Sequence, residues 1–329
     1  MRKNKAMLNK RISIIIPTYN EGKYVGDCLN SLTEQTFDLK NAEVFIVDGN
    51  SNDDTLKVVK TFEEKLPLKI FFNEKRKATY ALNTGIKHSA GDYIIRLDAH
   101  SVYEKDYLER CVFYLDNTDA MNVGGVAITK GRGLFGNINA DILSSKFGVG
   151  NSKFRTDSKS GYVDTVPFGA FKREVFEKVG YFNEKLSRSE DNDINSRIRK
   201  SGGKVYLASD IRFTYYCRNT FLGLILQALK NGNALAFTLK ENRCAMSFRH
   251  FIPLMFFLSL AVLVPMSFFW PFAWYILLSE LVIYSSVDLF FSIFHGKKSL
   301  FLFKFVIYPL FHLSYGLGSF LSFLGIKLY

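Results

Sequence analysis

Between residues 251 and 294 the chain carries only two charged side chains, Glu280 and Asp288. A helical crossing of a bilayer takes about 20 apolar residues. This stretch therefore holds two crossings, divided near Trp270 and Pro271. No polar face recurs along it, which argues against a buried soluble core. Trp270, Trp274 and Tyr275 suit an interfacial aromatic belt. The short basic loop His295, Gly296, Lys297, Lys298 is expected on the cytosolic side, where Lys and Arg accumulate. Residues 300–326 are a third apolar stretch containing Lys304 and His312, open to reading as a third crossing or as a re-entrant or interfacial helix. Ahead of the first crossing, over 218–250, apolar residues such as Phe221, Leu224, Ile225 and Leu229 interleave with Gln227, Lys230 and Asn231. That pattern predicts amphipathic helices at a membrane interface, or helices packed on the preceding domain.

The first 217 residues follow a different rule. Residues 12–16, 42–47, 68–72 and 93–97 are short apolar runs of the kind buried on both faces of a parallel sheet. Helical spacing of apolar residues separates them, over about 22–35, 56–62 and 78–88. The alternation predicts a doubly wound, mostly parallel α/β domain over 12–217. Ligands bind such sheets at the carboxyl ends of the strands. Three of those ends are rich in polar groups: Thr18 to Glu21, Asp48 to Asp53, and Asp98 with His100. Asp98 and His100 share a face of an extended segment, and an oxygen with a nitrogen ligand suits Mn²⁺ or Mg²⁺. Each stretch also has a plainer reading. Asp48-Gly49-Asn50-Ser51 has the composition of an ordinary turn. Glu190 and Asp191 complement the dipole at a helix start. Lys75, Arg76 and Lys77 are either a solvated loop or a contact to the diphosphate or to an acceptor phosphate. Residues 131–162, rich in Gly, Ser, Asn and Lys, read as a long loop, either a lid over the site or an unordered segment.

Several classes are excluded. No GxGxxG loop and no Walker A motif is present. The net charge of +12 suits an anionic membrane surface or phosphorylated substrates, and without any nucleic-acid-binding signature no nucleic-acid partner is expected. The four cysteines are scattered with no CxxC spacing, as for reduced thiols in a cytosolic compartment. The basic tail 1–11 lacks the apolar core of a secretory signal.

Taken in order, IIIPTYNE at 14–21, FIVDGNSNDDT at 45–55, ALNTGI at 81–86, RLDAH at 96–100, PFGAFKREVFEKVG at 167–180 and SED at 189–191 resemble the family 2 inverting glycosyltransferases of GT-A fold, over roughly residues 12–216. The DAH form and the FGAF stretch are similar to succinoglycan-type and other exopolysaccharide-building transferases. The resemblance implies that Pro17, Thr18, Tyr19, Glu21, Asp48 and Ser51 hold the nucleoside of a UDP-sugar, with Asp98 at its diphosphate, where the functional reading of the basic run also puts Arg76. It implies Asp98 and His100 as ligands of Mn²⁺ or Mg²⁺, Asp191 as catalytic base, and Glu190, Phe168 and Gly169 beside the acceptor or behind the base. His100 stands where many relatives carry a second aspartate. The activity expected is transfer of one sugar to a lipid-linked saccharide acceptor at the cytosolic face of the inner (cytoplasmic) membrane. A processive polysaccharide synthase is the alternative enzyme, although Gln227-Ala228-Leu229-Lys230-Asn231 does not match the QxxRW motif of such enzymes. A non-catalytic membrane scaffold is the alternative outside enzymes.

Overall fold

The structure is a computed structural model that describes residues 10–156 and 159–329, so all but the last two residues of the expected basic tail lie outside it. In chain order the elements are β1 (Ile12–Thr18), α1 (Val25–Thr33), β2 (Ala42–Asp48), α2 (Thr55–Lys60), β3 (Leu68–Phe72), α3 (Ala78–His88), β4 (Tyr93–Arg96), β5 (Ser101–Tyr103), α4 (Tyr107–Asn117) and β6 (Ala120–Lys130). Next come α5 (Gly133–Ser144), α6 (Lys146–Val149), α7 (Lys153–Thr156), β7 (Gly161–Tyr162), β8 (Ala170–Lys172), α8 (Glu174–Val179), α9 (Glu190–Lys200) and β9 (Lys204–Tyr216). The chain closes with α10 (Phe221–Glu241), α11 (Ile252–Ser267), α12 (Pro271–Phe294) and α13 (Phe301–Phe323). The described residues divide into two compact units, 10–128 with 159–216, and 129–156 with 217–329.

The first unit is built on one mixed sheet of order β3-β2-β1-β4-β8-β6-β9-β5, with β7 beside β9. The parallel half, β3-β2-β1-β4, matches the four apolar runs and carries the crossover helices α1 to α3. Strand β8 pairs antiparallel with both β4 and β6, and β9 pairs antiparallel with β5 and β7, an extension that the alternation of the first hundred residues does not reveal. Ile12, Ile14, Ile15 and Ile16 on β1 and Val44 to Val47 on β2 are fully buried, as strands covered on both faces require. The register sets Thr18 opposite Asp48, and Ile15 opposite Arg96, so the polar strand ends come out on one edge. Helix α3 lies on β1 because Gly85 has no side chain. A Cβ there would stand 2.5 Å from the Ile15 Cγ2 atom.

The second unit takes in residues 129–156, read from the sequence as loop. They are helical through α5, α6 and α7, and group with the C-terminal helices. The two amphipathic segments expected before the first crossing form a single helix, α10. Helices α10 and α13 meet backbone to backbone: a Cβ on Gly232 would stand 1.9 Å from the Tyr315 carbonyl oxygen, and one on Gly318 2.0 Å from that of Leu229. Small residues allow such close approach between helices in lipid. Three helical segments, Phe248–Ser267, Pro271–Phe294 and Lys298–Phe323, are long and apolar enough to cross a membrane.

Replacing Gly85 by Val forces α3 off β1 and is expected to cost about 1–3 kcal/mol. Thermal unfolding of the detergent-solubilised protein checks this, and an unchanged Tm would show that the α3–β1 contact is not tight.

Candidate active site

The loops that leave β1 and β2 are laced together by side chains. The Asp48 carboxylate is fully buried and accepts hydrogen bonds from Thr18 Oγ1 at 2.8 Å, Ser51 Oγ at 2.6 Å and Ser51 N at 2.8 Å. A buried carboxylate needs such donors to offset its lost hydration. Across the two loops, Asn20 N donates to Ser51 Oγ at 2.9 Å, Asn52 N to Asn20 Oδ1 at 3.0 Å, and Gly22 N to Asp53 Oδ2 at 3.0 Å. Asn20 and Asn50 take positive φ values of 56° and 59° to make these turns, a conformation that Asn tolerates better than most residues. Asn20 thus joins the two loops.

Above this base lies a cleft of about 230 Å³. Of the residues expected at the donor, Pro17, Thr18, Tyr19, Glu21, Arg76, Asp98 and His100 all line it. Asp48 and Ser51 lie beneath, with the Asp48 oxygens turned into the loop junction. The Arg76 guanidinium stands over the Tyr19 ring, 5.4 Å from its centroid, a cation–π contact across the mouth. On the far wall, His100 Nδ1 is 2.8 Å from Asp98 Oδ1 and 3.4 Å from Glu21 Oε1. Burial disfavours the imidazolium, but the Asp98 charge and the bonds to Asp98 and Glu21 outweigh it, and the His100 pKa is pushed up to about 11. Burial likewise opposes the Asp98 carboxylate. His100 and Arg96 prevail there and hold its pKa below the usual value.

A second charged centre adjoins the first. Arg96, at the end of β4, gives Nη1 to Asp191 Oδ1 at 2.6 Å and Nη2 to Glu190 Oε1 at 2.8 Å. Its guanidinium stacks on Phe168 at 5.5 Å and Phe182 at 6.0 Å. Arg96 belongs to no role read from the sequence. The available signal was a lone charge inside the apolar run of residues 93–97, which burial obliges to find carboxylates. Asp191 and Glu190 open α9. Ser189 precedes them at φ 63°, and its side chain makes no capping bond, so the pair answers to Arg96 as well as to the helix dipole. Burial pushes the Asp191 carboxyl up, Arg96 pulls it down, and Glu190 and Asp98 push it up again, leaving its pKa at about 7.

Phe168 and Gly169 stand behind this centre. Phe168, at φ 48°, turns its ring under Arg96, and the Gly169 carbonyl accepts from Arg96 N at 3.0 Å. A Cβ on Gly169 would lie 2.1 Å from Asn122 Oδ1. Asn122 in turn donates to Asn195 Oδ1 at 2.6 Å, which fixes α9 against β6.

Comparison with known proteins identifies the family and the fold. Residues 13–180 match the glycosyl transferase family 2. The dolichyl N-acetyl-α-D-glucosaminyl phosphate 3-β-D-2,3-diacetamido-2,3-dideoxy-β-D-glucuronosyltransferase of Methanococcus voltae is 31% identical over 239 residues, 70% of this chain and 74% of the relative. The succinoglycan biosynthesis protein ExoA of Rhizobium meliloti is 30% identical over 244 residues, 73% and 74% of the two chains. Among solved structures, the mannosyltransferase PcManGT from Pyrobaculum calidifontis, in complex with GDP-Man and Mn²⁺, superposes with a TM-score of 0.67 over 97% of this chain and 88% of its own, at 18% identity, a likeness of fold. Fold and relatives together define a glycosyltransferase of GT-A type. The chain belongs to glycosyl transferase family 2.

Replacing Arg96 by Leu leaves two partly buried carboxylates without their cation, a loss expected to cost at most about 3–5 kcal/mol, the range for fully buried pairs. The expected result is a lower Tm, recovered in part in the triple variant Arg96→Leu/Glu190→Gln/Asp191→Asn. No recovery would show that Arg96 stabilises by packing alone.

Proposed function

We propose that this enzyme is a membrane-anchored, metal-dependent, inverting hexosyltransferase. It moves one sugar from a UDP-sugar to a lipid-linked saccharide in cell-surface polysaccharide biosynthesis, at the cytosolic face of the inner membrane. The reading rests chiefly on one observation: a cleft walled by Asp98, His100 and Glu21 lies next to a carboxylate, Asp191, whose pKa is near neutral. The named Methanococcus and Rhizobium relatives support the acceptor and pathway class.

The residues at the wall suit a divalent cation bound jointly with a diphosphate. Asp98 presents a carboxylate oxygen and His100 a ring nitrogen once its proton is displaced on cation binding, with Glu21 behind them. Among the described residues no group of three or more His, Cys, Asp or Glu is arranged to hold a metal by itself. Phosphate oxygens and water would complete the shell, as is usual for Mg²⁺ and Mn²⁺. When bound, the cation supplies charge neutralisation for the departing diphosphate.

The remaining work falls to the chain's own groups. Arg76 and Lys77 line the cleft and offer positive charge to the same diphosphate. The acceptor hydroxyl attacks the anomeric carbon, the bond from that carbon to the phosphate oxygen breaks, and the hydroxyl proton passes to Asp191. One displacement inverts the anomeric centre and needs no covalent nucleophile. Arg96 keeps the Asp191 carboxylate ionised and aimed, and the Asp48–Ser51 junction keeps the nucleoside floor in shape.

Asp191→Asn should lower kcat by about 10²–10⁴-fold while leaving nucleotide binding intact. Because Asp191 acts as a base and is held near 7, the wild-type rate should fall as pH drops below about 7. A smaller loss in the variant, or a rate that does not fall on acidification, would remove Asp191 from this role.

Calorimetric titration with UDP and with GDP, each with and without Mn²⁺, tests the donor. Metal-dependent UDP binding that Asp98→Ala abolishes is the expected outcome. Preference for GDP would overturn the choice of nucleotide, and binding of neither would revive the scaffold reading.

A further inference from the structure

Three helical segments are apolar enough to cross a bilayer, but their contacts divide them. Exposed apolar residues surround α12, from Phe272 and Trp274 through Leu278, Leu281 and Val282 to Phe290. On α11 they run from Ile252 to Met266. The turn between the two exposes Phe268 and Phe269 almost fully, 81% and 89%. This is the surface of a hairpin surrounded by lipid, with an aromatic tip at the distant interface.

Helix α13 differs. Its outward residues Leu302, Val306, Leu310 and Leu317 repeat at intervals of four, four and seven, which makes one stripe. The opposite side buries Ile307 and Phe311 among polar and small residues, and its polar groups are used within the same unit. Lys304, fully buried, reaches Asp141 of α5 at 3.4 Å. Tyr308 donates to Ser145 Oγ at 2.8 Å, and His312 Nε2 lies 2.9 Å from the Phe147 carbonyl in α6. Further along, Ser322 Oγ accepts from Ala236 N of α10 at 3.3 Å.

The level that α13 reaches is decisive. A helix advances about 1.5 Å per residue. A third crossing beginning after the loop at 295–300 would therefore lie roughly 22–28 Å deep by residues 316–320, beside the hairpin tip. Those residues instead touch the start of α11. A Cβ on Gly316 would stand 2.4 Å from the Pro253 carbonyl oxygen, and the Phe320 ring is 5.8 Å from that of Phe257. The chain then turns at Gly325, φ 81°, and returns to α10. Asn233 Nδ2 donates to the Ile326 carbonyl at 2.8 Å, and Leu328 N donates to Asn233 Oδ1 at 2.9 Å. Helix α10 carries Gln227, Lys230, Asn231 and Asn233 mid-length and is not among the candidate spans.

We infer that α13 does not cross the membrane. It lies obliquely in the bilayer leaflet from which the α11–α12 hairpin starts, with the stripe Leu302, Val306, Leu310 and Leu317 turned to the acyl chains of that leaflet. The hairpin alone crosses, so residues 326–328 stay on the side of α10.

Thiol accessibility in cells producing the full chain tests this independently of sugar transfer, so its failure would leave the proposed reaction untouched. In a background of Cys244→Ser, which removes the exposed native thiol, three single reporters are compared: Lys240→Cys on α10, Phe269→Cys at the tip, and Lys327→Cys after α13, all exposed positions. A membrane-impermeant maleimide is applied before and after permeabilisation. The expected result is that Lys240→Cys and Lys327→Cys label together, under one condition, and Phe269→Cys under the other. Lys327→Cys labelling with Phe269→Cys would mean that α13 crosses, and all three labelling together would mean that the hairpin does not. Either overturns the inference. If Phe269→Cys fails to accumulate, Phe268→Cys gives the same reading.

Discussion

The Arg96 guanidinium is the point on which the candidate site depends. A cation buried at the end of a parallel strand is costly unless its donors are matched. Here two consecutive carboxylates at the start of α9 take up Nη1 and Nη2, two aromatic rings cover its faces, and Nε alone stays buried without a hydrogen-bond partner among the described residues. The arrangement fixes where α9 begins, orients Asp191, and explains Phe168 and Gly169, whose backbone and ring serve Arg96. It also sets the Asp191 carboxyl between opposing influences, the condition that lets a carboxylate act as a base near neutral pH.

Much of this was legible in the chain. The four apolar runs with polar ends dictate a parallel sheet and the edge at which ligands bind, and Pro17, Tyr19, Glu21, Arg76, Asp98 and His100 do meet on one cleft. What was not legible depended on non-local pairing. The antiparallel half of the sheet rests on β6, β8 and β9, which lie far apart in sequence; residues 204–207 and 212–216 do read as strand and fall in β9, but no local pattern says which strands pair. Asp48 had the composition of a turn and of a ligand; its buried carboxylate makes it a strut between two loops. Arg96 was visible as an anomaly, but its partners stand some ninety residues away.

The C-terminal unit shows the same contrast. Hydropathy locates the apolar stretches, and α11 and α12 need no more than that. It cannot rank the third, because Lys304, Tyr308, His312 and Ser322 of α13 find partners in distant segments around α5, α6, α10 and α12. Residues 131–149 read as loop because they are rich in glycine, asparagine and serine. In the structure those small and polar residues are the ones that let α5 and α6 pack closely. Gly136 leaves no room for a Cβ beside Asn219, and Asn139 donates to the Arg218 and Thr220 carbonyls.

The membrane unit is thus discontinuous along the chain: its first helices are inserted between two strands of the catalytic sheet. A polypeptide cut after residue 217 would lose α10 to α13 but keep α5 and α6, with Asp141, Ser145 and the Phe147 ring stripped of Lys304, Tyr308 and His312. The cut exposes a sticky, half-satisfied surface where a clean domain edge would be expected. Recovering a soluble catalytic half requires bridging β6 to β7 with a short linker as well as removing the tail, so the boundary between chemistry and membrane is set by contacts and not by position in the sequence.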